Sequence, residues 1–409
     1  MQSRKSEFGV EFLDKQVEIA IIGGGSTGSS ILYHLAKRGL NDTVLLEKGA
    51  QIASGQTSRS TALLRSHYSI PTVAKMAWDS YQFFKKFEEE MHTSCGFRKT
   101  GLFVCGDSVT ENALVANSQM LREVGIISEA IDKEEAEKIE PYLNVSVFSK
   151  IIYEPESGYA DPSMTASAFA GAAKELGSDV LTNTQVQAVK KFSSEKGYEI
   201  STNHGNIRAN KVIVAMGPWS KAFFATLGVS VPIKPVRHPV AIFQRPEEYS
   251  GNRPLIFDFP REAYYKPEGK HFFYAGSLAA ELDRQEIDPD NYNESVSFDE
   301  VAKFSEDAST AVPIMGTGGV YQRGYTGVYD TTPDQQPIID EFSGSGYEGL
   351  YCLIGLSGHG FKLSPAFGRI MSDFVTGERT TDYDRSIFKR SRFENGKLLE
   401  SRYNLSTVG

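Results

Sequence analysis

The sequence predicts an α/β fold with two domains, of which one is assembled from non-contiguous segments and the other is β-rich. Three observations favour it: a strand–glycine–helix–strand unit near the N-terminus, a strand–glycine–helix pattern near the C-terminus, and short β-rich stretches between them. At 409 residues the chain is also too long for one simple core. We expect the two terminal patterns to belong to one domain and the β-rich insertions to form the second.

The N-terminal unit runs from Val17 to Glu47 and has the spacing of a dinucleotide-binding βαβ unit. An apolar run meets Gly23-x-Gly25-x-x-Gly28, a helix-like segment follows, and a second apolar run ends at Glu47. The glycines permit a tight turn, close approach of the backbone to a pyrophosphate, and packing of the helix on the strand. The helix N-terminus offers N–H groups to phosphates. Glu47 follows Gly28 by 19 positions, close to the roughly 20 at which an acid binds a ribose. The unit predicts a Rossmann-type domain, with a glycine-rich turn that binds no ligand as the alternative.

Composition argues against several classes of protein. The formal charge is −9 without a Lys/Arg cluster, so no nucleic-acid partner is expected. No apolar run approaches the roughly 18 residues of a membrane span. The N-terminal sequence MQSRKSEFGVEFLDKQ lacks the apolar core of a signal peptide, so we expect a cytoplasmic protein. The three cysteines form no CxxC pair and the seven histidines lack ligand spacing, so neither a disulfide framework nor a metal site is expected.

Local patterns predict the elements between the terminal units. The clearest helix is 162–176, because Asp161 can cap it, Pro162 occupies its first position and Gly177 follows its end. Helical spacing also predicts helices at 78–92, 114–124, 133–140, part of 280–312, and from the 355–362 loop to about Thr376. Strands are expected at 96–107, 180–181, 185–191, 197–202, 207–209, 211–219, 240–244, 255–259, 263–266, 271–275 and 349–354.

Five blocks together resemble a known superfamily. They are the glycine fingerprint, SGQTSRSTALLRSHY at 54–68, KVIVAMGPWS at 211–220, GVYDTTPDQQPII at 327–339 and GLSGHGFK at 355–362. In this order they resemble the FAD-dependent amine and amino-acid oxidoreductases related to D-amino-acid oxidase. Sarcosine oxidases and dehydrogenases, and the catalytic subunit of archaeal proline dehydrogenases, look nearest. The resemblance implies FAD rather than NAD, and removal of a hydride from a carbon beside an amine nitrogen.

If the cofactor is FAD, the chain is expected to divide into an FAD-binding domain and a substrate domain, which together occupy five segments. The FAD-binding domain comprises residues 1–91, 153–230 and 323–409, and the substrate domain, with an antiparallel sheet, comprises 92–152 and 231–322. A cleft between the two domains is the expected substrate site.

The resemblance also implies which side chains meet the substrate. Arg65 matches an arginine that binds the substrate carboxylate, and its planar fork suits that group. Lys362 matches a second carboxylate-binding cation, and two cations in one pocket favour a small anionic amino acid. Tyr329 and His359 match positions beside the flavin. A surface ion pair for Arg65, a core position for Tyr329 and a backbone-only role for His359 are the alternatives.

The expected contacts of the cofactor are spread over the same blocks. They are Gly23, Gly25, Ser26, Thr27, Gly28, Glu47, Lys48, Ser54, Gly55, Thr57, Ser58, Val186, Ala215, Gly217, Trp219, Gly327, Gly358, His359, Gly360, Phe361 and Lys362. Relatives that bind flavin covalently carry a histidine near the position of Arg59 or a cysteine at that of Gly327. Neither residue occurs here, so noncovalent FAD is expected.

The segment HFFYAG at 271–276, an expected strand, bears on the identity of the electron acceptor. Monomeric sarcosine oxidases activate O₂ with a lysine that aligns with Tyr274, and Lys270 and Lys266 are displaced along the chain. This difference favours a dehydrogenase, with a quinone or protein acceptor, over an oxidase that uses O₂.

The predicted reaction is oxidation of the C–N bond of sarcosine, an N-methylglycine derivative, proline or glycine, followed by imine hydrolysis. Two alternatives stay open: oxidation of a 2-hydroxy acid or glycerol phosphate, and a flavoprotein subunit that needs partners in a heteromeric dehydrogenase. A homo- or hetero-oligomer is compatible with both.

Overall fold

The computed structural model describes residues 13–279 and 285–401. The start of the predicted 280–312 stretch and both chain ends lie outside these residues. The helices are α1 (Ser26–Ala36), α2 (Pro71–Lys85), α3 (Phe87–Met91), α4 (Glu111–Glu123), α5 (Lys133–Ile139), α6 (Pro162–Glu175), α7 (Ser220–Thr226), α8 (Phe298–Ala311), α9 (Ile314–Gly318), α10 (Ser364–Thr376) and α11 (Ser391–Glu394).

The strands follow in the same numbering. They are β1 (Leu13–Ile22), β2 (Thr43–Leu46), β3 (Leu63–Leu64), β4 (Arg98–Lys99), β5 (Leu102–Gly106), β6 (Glu129–Ile131), β7 (Lys150–Glu154), β8 (Gly158–Tyr159), β9 (Asp179–Leu181), β10 (Val186–Lys191), β11 (Tyr198–Thr202), β12 (Gly205–Val214), β13 (Lys234–Gln244), β14 (Leu255–Asp258), β15 (Ala263–Glu268), β16 (Phe272–Ser277), β17 (Val320–Thr331), β18 (Ile338–Glu341) and β19 (Leu350–Ile354).

The first sheet has a parallel centre. Its eight strands include the path β10-β11-β12-β1-β2-β9, and β19 joins β12 and carries β18. β1 runs parallel to β12 and β2, and β12 runs parallel to β19. Ile21 packs on α1 and α10 on one face of the sheet, while its neighbour Ala20 packs in a second core on the other. Both faces are therefore buried, as parallel sheets require.

The second sheet is almost entirely antiparallel. Its order is β17-β13-β16-β15-β14-β5-β7-β6, and only the β14–β5 pair is parallel. Phe103, Tyr265 and Phe273 fill a core beneath α8. A third sheet, β3-β8-β4, has three strands. The predicted combination of a Rossmann-type sheet with an antiparallel sheet is confirmed.

Some predicted boundaries differ from the observed elements. The divisions expected at 152/153 and 322/323 fall within β7 and β17, so the second sheet continues to Thr331. The strand expected at 96–107 is two strands, because the N–H groups of Thr100 and Gly101 both donate to the carbonyl of Ser157 and interrupt the ladder. The helix expected to begin at 78 begins at Pro71, whose ring suits a first helical position.

Candidate active site

A cavity of about 570 Å³ lies at the carboxyl ends of the parallel strands, where the second sheet approaches them. This is the usual ligand position in open α/β sheets. Its wall is formed by the turn after β1, the loop after β2, the 54–57 loop, the end of β12, the end of β17 and the loop after β19. A volume of this size fits a ligand of cofactor dimensions.

The turn between β1 and α1 leaves room for a phosphate. Gly23 has φ +113°, and a Cβ there would lie 2.3 Å from the carbonyl oxygen of Ala215. A Cβ on Gly28 would lie 1.9 Å from the carbonyl oxygen of Gly23, so Gly28 supports the turn without lining the cavity. Helix α1 starts after Gly25, which has no side chain to cap it. The N–H of Ser26 donates to the hydroxyl of Thr57 at 3.0 Å, and the N–H groups of Thr27 and Gly28 can bind an anion. The hydroxyl of Thr27 is buried and has no hydrogen-bond partner in the described part of the chain.

Glu47 joins two loops at the wall of the cavity. Its Oε2 accepts from the N–H of Gly24 at 2.7 Å, and its Oε1 accepts from the N–H of Gly49 at 2.7 Å. The hydroxyl of Ser54 donates to Oε1 over 3.4 Å. Carboxylate oxygens have further lone pairs, so Glu47 can still accept hydrogen bonds from a ribose.

Lys48, Trp219 and Asp290 form a contact across the cavity mouth. The Nζ of Lys48 lies 4.0 Å from the Trp219 ring centroid. Asp290 accepts from the indole N–H at 2.7 Å and from Lys48 at 3.0 Å. Asp290 was not predicted, because it lies in an irregular polar stretch without a motif.

Arg65 and Lys362, the cation pair, line the same cavity and are 2% and 8% exposed. Arg65 donates to the carbonyl of His67, and its guanidinium carbon lies 4.2 Å from the Tyr68 ring centroid. Lys362 donates to the carbonyl of Gly358 at 3.2 Å. Within residues 13–279 and 285–401, no carboxylate comes within 4.0 Å of either cation. Burial and the charge of Arg65 hold the pKa of Lys362 well below its ordinary value.

An aromatic stack lies beside the cation pair. The His238 and Tyr329 ring centroids are 4.2 Å apart, and the Tyr264 ring lies parallel to His238 at 6.2 Å. Burial lowers the pKa of His238 to about 4, so its imidazole is neutral at pH 7. His238 and Tyr264 were not predicted. Strand periodicity offers a signal for His238, because Val240, two positions later, also lines the cavity.

The glycine-rich loop after β19 is held from two sides. Asp330 accepts from the N–H of Gly355 at 2.8 Å. Burial raises the pKa of Asp330 to about 6, although the backbone N–H groups of Leu356 and Gly355 lower it. His359 Nδ1 lies 3.0 Å from the Tyr68 hydroxyl. Burial, followed by the charges of Lys362 and Arg65, lowers the pKa of His359 well below its ordinary value.

The predicted residues divide between the large cavity and its surroundings. The large cavity is lined by Gly23, Gly25, Ser26, Thr27, Glu47, Lys48, Ser54, Gly55, Thr57, Arg65, Val186, Ala215, Gly217, Trp219, Gly327, Tyr329, Gly358, His359, Gly360, Phe361 and Lys362. Ser58 and Tyr274 instead line a second cavity of about 350 Å³, which shares Arg59, Ser60 and Thr61 with the first. Tyr274, which aligns with the O₂-activating lysine of monomeric sarcosine oxidases, thus lies on β16 at the wall of this second cavity.

Lys266, which lies outside the HFFYAG segment in the sequence, is next to Tyr274 in the structure. Lys266 on β15 is directly opposite Tyr274 on β16, and its Nζ lies 4.2 Å from the Tyr274 ring centroid. Lys266 also pairs with Glu268 at 2.7 Å and donates to the carbonyl of Thr61 at 2.9 Å. Cross-strand register brings the two residues together, so sequence alignment missed their contact.

The thiol groups of the chain lie outside the large cavity. Cys95, Cys105 and Cys352 are buried and do not line the large cavity. Within the described ranges, no group of three or more potential metal ligands occurs. Among the described helices, none is long and apolar enough to cross a membrane.

Comparisons with known proteins give the family. The profile of "DAO: FAD dependent oxidoreductase" matches residues 18–374. Monomeric sarcosine oxidase of Bacillus sp. (strain B-0618) is 28% identical over 389 residues, which cover 92% of this chain and 96% of that protein. Mitochondrial sarcosine dehydrogenase of Homo sapiens is 25% identical over 403 residues, which cover 95% of this chain but 43% of that protein. L-proline dehydrogenase from P. horikoshii superposes with a TM-score of 0.85 at 28% identity, covering 95% of this chain and all of that one.

The residues of the large cavity fit the family's cofactor. The Gly23 turn and the uncapped start of α1 suit the pyrophosphate, the buried Thr27 hydroxyl lacks a partner among the described residues, and Glu47 suits the ribose. The predicted superfamily and FAD are confirmed. The chain belongs to the DAO family of FAD-dependent oxidoreductases.

Proposed function

We propose that this protein oxidises the C–N bond of a small amino acid with a free carboxylate, such as sarcosine, another N-methylglycine derivative, proline or glycine. The observation that carries the proposal is the cation pair of Arg65 and Lys362, which is buried on the cavity wall without a carboxylate partner in the described residues. Two buried cations are costly unless an anion joins them. A substrate carboxylate supplies that anion.

The cation pair also sets the protonation of the substrate. The Arg65 fork binds the carboxylate in a fixed orientation, and the entering anion favours the protonated form of Lys362. Their positive charge favours the neutral form of the substrate amine, whose lone pair then assists loss of hydride. His238 is neutral beside the cavity, so it adds no charge that would repel the amine. Bound FAD supplies the hydride acceptor, and water hydrolyses the imine that leaves.

We infer a dehydrogenase rather than an oxidase. Support comes from the sequence alignment, in which Tyr274 replaces the lysine that activates O₂ in monomeric sarcosine oxidases. Lys266 lies close to Tyr274, but its charge is offset by Glu268 at 2.7 Å, and burial lowers the pKa of Lys266. A quinone or a protein is then the proposed acceptor. The enzyme is proposed to act in the cytoplasm, either alone or with partner subunits.

Anaerobic mixing tests the proposal. The FAD-loaded protein is mixed with sarcosine, proline, glycine, N-methylated amino acids, 2-hydroxy acids and glycerol phosphate, and the visible flavin band is followed. Bleaching by an amino acid, and not by its hydroxy-acid counterpart, is expected. Bleaching by hydroxy acids or glycerol phosphate alone contradicts the proposed reaction. Gel filtration of native protein tests for a partner, which would co-purify.

A further inference from the structure

Behind Arg65 lies a cluster of polar side chains that does not line the cavity. It consists of His67, Asn117, Ser128 and Glu154, which are 0%, 0%, 0% and 1% exposed. Burying polar groups in a protein core is unfavourable unless they bind one another. The cluster lies beside a residue proposed to bind the substrate, so its internal contacts bear on the site.

The cluster fixes the imidazole of His67 at both ring nitrogens. Nδ1 lies 2.7 Å from Oε1 of Glu154, and Nε2 lies 3.1 Å from Nδ2 of Asn117. An amide nitrogen can only donate, so Nε2 accepts and the ring proton sits on Nδ1, directed at Glu154. The hydroxyl of Ser128 donates to the same Glu154 oxygen at 3.2 Å. Glu154 ends β7 and Asn117 lies on α4, so two separate elements hold the ring.

The backbone of His67 connects this cluster with Arg65. Its carbonyl accepts a hydrogen bond from Nη1 of the Arg65 guanidinium. Burial lowers the pKa of Arg65, and Tyr68, followed by the negative charge of Glu154, acts in the opposite direction. No Lys or Arg lies within 4.0 Å of the Glu154 carboxylate in the part of the chain that the structure describes. No nearby Lys or Arg among the described residues therefore neutralises the charge of Glu154, which acts electrostatically on Arg65 at longer range.

We propose that Glu154, acting through His67, is a positioning residue that sets the orientation of the Arg65 guanidinium. This inference rests on the proposed role of Arg65 as a ligand of the substrate carboxylate. When the imidazole is held at both ends, the carbonyl that Arg65 contacts is held too. When Glu154 is lost, the carbonyl can shift, and a small shift tilts the guanidinium away from two-point contact with a carboxylate.

The test measures binding of acetate, an amine-free carboxylate, to the FAD-loaded enzyme through the flavin absorption. Glu154→Ala is expected to raise the acetate Kd about tenfold. With the amino acid that reduces the flavin, KM rises by a similar factor while the rate at saturation changes by less than about threefold. In Glu154→Gln the amide oxygen can still accept from Nδ1 of His67, so this variant restores acetate binding to within about threefold of the unmutated enzyme.

Glu140→Ala is the matched control. Glu140 is a fully buried carboxyl that does not line the cavity and accepts from the N–H of Tyr142 at 3.1 Å. Its loss is expected to lower the melting temperature while leaving the acetate Kd unchanged. An equal rise of the Kd in Glu140→Ala and Glu154→Ala would mean general destabilisation and overturn the inference.

Arg65→Ala separates this inference from the proposed function. If Arg65→Ala leaves the acetate Kd unchanged, the substrate role of Arg65 is wrong. If Arg65→Ala weakens acetate binding and Glu154→Ala does not, only the positioning role fails. If Glu154→Ala fails to bind FAD, Asn117→Ala is tested in its place, because Asn117 holds the other ring nitrogen of His67. An unchanged acetate Kd in Asn117→Ala then overturns the inference.

Discussion

Arg65 and Lys362 are buried side chains that line the same large cavity, and burial, followed by the positive charge of Arg65, lowers the pKa of Lys362. Neither cation meets a carboxylate in the residues described, and each makes a hydrogen bond to a backbone carbonyl. The site is therefore arranged with unbalanced positive charge, which a carboxylate can neutralise.

Removal of Arg65 should weaken substrate binding. Arg65→Ala is expected to cost on the order of 2–5 kcal/mol in kcat/KM, as for loss of one partner from a desolvated ion pair. The amide of the substrate, which lacks the negative charge, should perform equally poorly with the unmutated enzyme. Equal rates of flavin reduction with acid and amide would show that the cation pair does not bind the carboxylate.

Carboxylate binding should weaken as the pH rises. Lys362 has a lowered pKa, and a bound anion favours its protonated form, so binding takes up a proton above that pKa. The acetate Kd is expected to stay constant below the lowered pKa and to rise about tenfold per pH unit above it. In Lys362→Met the Kd is higher and this dependence is lost. A rise of equal slope in the Met variant would assign the titration to another group.

FAD should be held without a covalent bond. Acid precipitation is expected to release the flavin into the supernatant, because the residues at positions 59 and 327 are Arg and Gly and the three cysteines do not line the cavity. Yellow colour in the pellet would contradict this.

Glu47→Ala should weaken FAD binding by about 1–3 kcal/mol, the size of a charge-assisted hydrogen bond. Because Glu47 also accepts from Gly24 and Gly49, Glu47→Gln, which keeps an acceptor oxygen, is the control and should lose less. Unchanged flavin affinity in the Ala variant, measured by fluorescence quenching, would remove Glu47 from the ribose site.

Substrate-reduced enzyme should reoxidise faster with a dye than with air. A fixed positive charge beside the flavin assists electron transfer to O₂. In the alignment with monomeric sarcosine oxidases Tyr274 replaces the lysine that supplies this charge, and Glu268 pairs with the nearby Lys266. Tyr274→Lys is expected to raise the rate with air about tenfold. Rapid reoxidation of the unmutated enzyme by air, with stoichiometric hydrogen peroxide, would make it an oxidase.

Asp330 should make the folded state less stable as the pH rises. Its pKa is raised from 3.8 to about 6, so the folded state holds this proton more tightly than the unfolded state. The resulting stability is complete below pH 3.8 and lost as the pH passes 6, by about 3 kcal/mol in all. As the pH rises from 3.8 to 6, the urea midpoint of the unmutated protein should therefore fall relative to that of Asp330→Asn. Parallel curves would show that the buried carboxyl does not titrate in this range.

Sequence reasoning predicted the parts of the site that carry local motifs. The glycine turn, Glu47 and the loop around His359 each stand next to a strand end, so short-range spacing places them in the cavity. His238 and Tyr264 have no such motif, because they reach the cavity through the pleat of β13 and β15. The contact between Lys266 and Tyr274 depends on cross-strand register, which one sequence does not contain.

The boundaries of the second sheet were harder to predict for a related reason. β17 is a twelve-residue strand whose first residues are exposed and whose later, mostly buried residues line the large cavity. Its second half carries the block that resembles flavin-binding proteins, so motif recognition assigned it to the other domain. Pairing with β13 from Lys234 to Gln244 holds it in the antiparallel sheet.

The pairing of β12 with β1 and β19 has a consequence for biosynthesis. The ribosome releases the glycine turn early, but β12 ends at Val214 and β19 at Ile354, and the cavity wall continues to Lys362. Contacts so distant in sequence form slowly because long loops must close first. Until β19 emerges, one edge of β12 lacks the partner that it has in the finished fold, and an open edge can pair with other chains. A supply of FAD can therefore stabilise the nascent protein only after the chain has been synthesised as far as Lys362.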